Sequence, residues 1–66
     1  MLSGREVQII RYTAKGCTAK EIAKITGLKY RTIEIYVGNI RKKLRARNVA
    51  HAVYIASQKD ILVDPA

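Results

Sequence analysis

Acidic residues are scarce in this chain of 66 residues: five stand against thirteen Lys and Arg, a net charge of +8. There is one cysteine, Cys17, and one histidine, His51. A lone cysteine excludes an internal disulfide and any zinc site built from several thiolates. Cys17 reads as a small packing residue rather than a redox sensor. His51 has no partner histidine or cysteine nearby in sequence, so no metal site and no cofactor are expected. The few carboxylates, with one histidine and one cysteine, show no catalytic spacing, so no catalytic residue is named and an enzyme is not expected. No apolar run approaches the roughly 18 residues that cross a bilayer. No signal peptide is expected either, since Met1-Leu2-Ser3-Gly4 runs straight into a polar helical pattern. Internal repeats and low-complexity tracts are absent.

What is present is apolar enough to fold and basic enough to seek a polyanion. Hydrophobic residues make up 48% of the chain, which argues against disorder. The length leaves no room for a second core, so residues 1–66 are read as one domain. DNA or RNA is the first partner expected of such a charge, and an anionic membrane surface the second. A reducing, cytoplasmic setting fits the cysteine count.

The expected fold is all-α: a compact four-helix domain containing a helix-turn-helix, with helices at about residues 4–15, 19–25, 30–45 and 49–58. Ser3 and Glu6 have the spacing of a capping box, flanked by Leu2 and Val7 as a hydrophobic staple. Val7, Ile10 and Ala14 then recur on one helix face, and Gly16 ends the helix. Thr18 and Glu21 repeat the box, with Cys17 and Ile22 as staple. Ile22, Ala23 and Ile25 supply the apolar face of the second helix. Gly27 breaks it, and Thr26-Gly27-Leu28 has the length of a helix-turn-helix turn. In the third helix Ile33, Val37, Ile40 and Leu44 form one core-facing stripe. Asn48 can cap the fourth, where Ala52, Val53, Ile55 and Ala56 are apolar. The tail from Ile61 is expected to fold back and to fray after Asp64.

The positive charge collects on or beside the third helix. Residues 29–47 hold Lys29, Arg31, Arg41, Lys42, Lys43, Arg45 and Arg47 against one acid, Glu34. The face opposite the core stripe carries Arg31, Glu34, Ile35, Gly38, Lys42 and Arg45. Ile35 lies about 200° from Ile33. A large aliphatic group there suits a face that meets thymine methyls in a major groove. Gly38 costs a helix interior about 1 kcal/mol relative to alanine and lets the backbone approach DNA closely. Glu34 can accept from a cytosine amino group. Arg31, Lys42, Lys43 and Arg45 would neutralise phosphates along the groove walls. Each feature alone reads as an ordinary solvated face. Together, on the second helix of a helix-turn-helix, they point to double-stranded DNA. Tyr12, Tyr30, Tyr36 and Tyr54 have no spacing that builds a stacking platform for single strands.

These residues also carry a family resemblance. Leu2-Ser3-x-Arg5-Glu6-Val7 stands at the start, and Gly16-x-Thr18-x-Lys20-Glu21-Ile22-Ala23 runs through the second helix. Thr32-Ile33 opens the third helix, Ile40-x-x-Lys43-Leu44 ends it, and Asn48 and Ala52-Val53 follow. The ordered set resembles the LuxR-type helix-turn-helix domain, the output module of many response regulators and quorum-sensing receptors, over residues 2 to about 62. The resemblance implies that Glu34, Ile35 and Gly38 face base edges. It implies that Thr32, Tyr36 and Lys43 lie near the DNA backbone or support the recognition helix. It implies a dimer surface on the fourth helix, with Val49, Val53, Tyr54 and Ser57.

Several residues depart from the family pattern. Lys29 stands where Ser or Thr often caps the third helix, Tyr36 where histidine is common, and Val49 where arginine is common. Asp60 stands where glycine often ends the fourth helix, and Glu34 where some members have lysine. Family members usually carry an N-terminal receiver or ligand-binding domain, so an excised C-terminal domain of a bacterial regulator is expected rather than a stand-alone protein. The function so implied is sequence-specific binding to duplex DNA in transcription regulation, as a homodimer on an inverted repeat. RNA polymerase is a further possible partner. A promoter-recognition domain like region 4 of sigma factors is the rival within nucleic-acid binding. A basic membrane-surface module is the rival outside it, weakened because the apolar stripe of the third helix is needed for the core.

Overall fold

The two glutamates that follow a hydroxyl residue by three positions each close a helix start. In this computed structural model, which describes residues 2–59 and 61, α1 spans Gly4–Ala14. Ser3 Oγ accepts from the Glu6 N–H at 3.2 Å, and Glu6 Oε1 accepts from the Ser3 N–H at 2.7 Å. At the other end Gly16 takes φ +93°, which lets the Gly16 and Cys17 N–H groups reach the Thr13 and Tyr12 carbonyls at 3.0 and 3.1 Å. In α2, Ala19–Thr26, the Thr18 and Glu21 bonds repeat the box at 3.2 and 2.8 Å. Gly27, at φ +74°, ends it.

The third helix, α3, spans Tyr30–Lys43 and starts at Lys29 without a side-chain cap. It is two residues shorter than expected, because Arg45 sits in the left-handed region at φ +55°. That turn carries the Arg45 and Ala46 N–H groups back to the Lys42 and Arg41 carbonyls, at 3.1 and 2.9 Å. It is the closure that Gly16 provides for α1, made here without a glycine. In α4, Val49–Gln58, Asn48 Oδ1 accepts from the His51 N–H at 2.8 Å. His51 Nδ1 accepts in return from the Arg47 N–H at 3.0 Å.

All four helices meet in one small core, with α3 packed against each of the others. Ile9, Ile22 and Ile33, one from each of the first three helices, are fully buried. Ile10, Ile40, Ala46, Ala52 and Ala56 complete it, and Val37 and Leu44 pack against it. Two expected core positions lie outside. On α1 the buried residues are Glu6, Ile9 and Ile10, while Val7 is half-buried and Ala14 exposed. This helix touches all three others, so its buried sector is broader than one stripe and is centred on Ile9 and Ile10. On α2, Ile25 is 53% exposed. That short helix docks through Ala19, Ile22, Ala23 and Thr26. At about 100° per residue, Ile25 falls roughly 110° from the middle of that strip.

Beyond α4, Ile61 packs against the core, and its N–H donates to the Ala56 carbonyl at 3.0 Å. The Arg11 Nε–H donates to the Ile61 carbonyl at 3.1 Å. The chain therefore folds back at Ile61. The expectations for Asp60 and for residues 62–66 fall outside the described residues.

Candidate nucleic-acid interface

The outward face of α3 is built by exclusion. Ile33 and Ile40 are buried, and helical periodicity then fixes what faces away. Arg31, Glu34, Ile35 and Lys42 are exposed on that face, whereas Arg45, expected there too, is exposed beyond the end of α3 in the left-handed turn, where helical periodicity no longer places it. Ile35 is 55% exposed, an isoleucine set among charges. A Cβ built on Gly38 would meet nothing within 4 Å. The protein's own packing therefore does not require glycine there. The absence of a side chain leaves bare helix backbone between Ile35 and Lys42.

Thr32 and Tyr36 lie toward the flank of α3 and are half-buried, with Tyr36 packed against the core. Lys43 is committed inward. Its Nζ stands 2.8 Å from Glu6 Oε1, and the two side chains are 45% and 5% exposed. One carboxylate oxygen thus serves both the Ser3 cap and the last turn of α3. The Lys43 ammonium, then the Ser3 N–H, hold the Glu6 carboxyl below its ordinary pKa of 4.5, against the opposing effect of burial. The pairing of Glu6 with Lys43 had no signal in the sequence, where Glu6 was legible only as a capping residue.

Exposed Lys20 and Lys24 on α2 and Lys29 in the turn add cations to the same two-helix unit. In the sequence Lys20 enters only as part of the Gly16-to-Ala23 motif, and neither it nor Lys24 is expected at the interface. Their spacing of four on a short helix was the available signal, since Ile22 between them turns the other way.

On α4, Val49 is 39% and Tyr54 60% exposed. Ser57 is exposed, and its hydroxyl donates to the Tyr54 carbonyl at 2.6 Å. Val53 is half-buried against the core. Cys17 is free, half-buried and packed on the core. Among the described residues, no helix is long and apolar enough to cross a membrane.

Comparison with known proteins follows the same outline. A family described as bacterial regulatory proteins, luxR family, matches residues 1–56. The chain is 34% identical over 62 residues to the transcriptional activator protein ExpR of Dickeya dadantii, covering 94% of this chain and 25% of ExpR. It is 32% identical over 62 residues to the transcriptional activator protein EchR of Dickeya chrysanthemi, with the same coverage, 94% and 25%. It is 34% identical over 62 residues to the response regulator protein VraR of Staphylococcus aureus, covering 94% and 30%. The chain thus spans between a quarter and a third of the length of these relatives.

Proposed function

This chain belongs to the luxR family of bacterial regulatory proteins, and it is a helix-turn-helix DNA-binding domain of a transcription regulator; we propose that it reads duplex DNA by laying α3 in the major groove. Residues 1–66 act as a single binding domain. The observation that carries this reading is the outward face of α3: an exposed isoleucine and bare backbone at Gly38, bracketed by Arg31 and Lys42.

In this reading Glu34, Ile35 and Gly38 meet base edges. Ile35 packs on thymine methyls, and Gly38 lets the helix axis come close. Arg31, Lys42 and Arg45 bind phosphates, which position the helix without reading sequence. Thr32 and Tyr36 sit where the flank of α3 approaches the backbone. Lys43 acts mainly as support: its ammonium is held by Glu6, so its phosphate contact is the weaker of the set.

Val49, Val53, Tyr54 and Ser57 form the dimer surface, which brings two recognition helices about 34–36 Å apart, one turn of DNA. So small a patch gives weak pairing, so two copies associate on DNA rather than free in solution. The setting is the bacterial cytoplasm.

Selection of bound sequences from random duplex DNA, followed by a salt titration on the recovered site, tests the reading. An imperfect inverted repeat is expected, with log K falling by roughly 0.9 per phosphate contacted. A flat salt response would refute DNA binding by this face. Recovery of single half-sites alone, bound as well as full sites, would refute the dimer.

A further inference from the structure

We propose that Glu34 sets sequence selectivity by exclusion: it weakens binding to duplex DNA in general, and least where the groove offers it a cytosine amino group. The inference rests on the reading above that α3 enters the major groove. Glu34 is exposed on the cationic face of α3. Its carboxylate makes no hydrogen bond or ion pair with any described residue; the Lys43 ammonium goes to Glu6 instead. The helix gives it no partner on the C-terminal side, because the residue four positions on is Gly38. Arg31, three positions back, makes no ion pair with it either.

In water this carboxylate costs nothing. Carried between two rows of phosphates it loses hydration and meets like charge. Only donors on the base edges offset that loss. Cytosine N4 and adenine N6 carry such donors, whereas guanine O6 and thymine O4 are acceptors that add to the repulsion. Adenine also places its N7 acceptor beside the amino group, which opposes a second carboxylate oxygen, so cytosine is favoured. Discrimination of this kind lies in the penalty on wrong sites rather than in a gain on the right one. Neighbouring Ile35 sharpens it, because an apolar group cannot supply the missing donor.

The test uses the 66-residue chain and three duplexes. These are the site recovered by selection, the same site with the cytosine pair replaced by T·A, and a random sequence. Binding is followed by fluorescence anisotropy for wild type, Glu34→Ala and Glu34→Gln. Melting temperatures should not fall, since the exposed Glu34 carboxylate has no hydrogen-bond or ion-pair partner among the described residues. Glu34→Ala should tighten binding to the T·A and random duplexes roughly tenfold, with little change on the selected site. Glu34→Gln should shift preference from cytosine to adenine, which glutamine pairs through N6 and N7. Equal tightening on all three duplexes would overturn the proposal, reducing Glu34 to a screened charge while leaving the groove reading intact. A wild-type protein that prefers no sequence would overturn the proposal together with the reading beneath it.

Discussion

Replacing Glu6 by glutamine keeps the size of the side chain and removes only its charge. Glu6 Oε1 receives the Ser3 N–H at 2.7 Å and the Lys43 Nζ at 2.8 Å, so both bonds are charge-assisted. Such a bond contributes about 1.5–3 kcal/mol, against about 0.5–1.5 for a neutral one. Glu6 is buried, but the Lys43 side chain is 45% exposed, so solvent screens part of that bond. The loss on Glu6→Gln is then about 2 kcal/mol. At about 4–8 °C per kcal/mol for a domain of this size, the melting temperature should fall by roughly 8–16 °C.

The pH dependence supplies a second measurement. The folded-state pKa of Glu6 is lowered from 4.5, so its contribution is complete above 4.5 and is lost as pH falls through the folded value. Wild type should lose stability on acidification faster than Glu6→Gln, and the gap between them should close at low pH. Glu21, whose pKa is also lowered, first by its backbone bond from Thr18, is common to both proteins and cancels. Thermal melts by circular dichroism across this range read both effects. A shift below about 2 °C at neutral pH, far under the magnitude above, would refute the reasoning. So would a gap that stays constant as the pH falls.

Arg45→Gly should relieve the left-handed backbone at φ +55°. Set against the added freedom of the unfolded chain, the net gain is up to about 1 kcal/mol in thermal melts. The same change should weaken binding to all duplexes and reduce the salt slope by about 0.9. Gly38→Ala should stabilise α3 by up to about 1 kcal/mol, since its Cβ meets nothing within 4 Å. Gly38→Leu should melt as a folded protein yet lose its preference for the selected site in competition assays. Val49→Glu or Tyr54→Glu should abolish cooperative binding to a full inverted repeat in mobility shifts, with half-site binding and the melting temperature retained.

The helix starts were legible in the sequence because capping is local. Ser3 with Glu6, Thr18 with Glu21, and Asn48 ahead of α4 act over three residues. The inner stripe of α3 was legible too. Ile33 and Ile40 sit on a helix packed against all three others, so its periodicity alone separates the inner face from the outer. The short α2 and the thrice-contacted α1 were less legible. Which sector of a helix is buried depends on how many neighbours it has and from where they approach. That moved Ile9 inward and left Ile25 and Ala14 exposed. The C-terminus of α3 was hidden as well, because a left-handed arginine leaves no composition signal where a glycine would. The pairing of Glu6 with Lys43 belonged wholly to the tertiary structure. The two residues lie 37 apart in the chain. Only the packing of α1 against α3 brings that ammonium to the buried carboxylate, turning a residue of a basic face into one that holds the face in place.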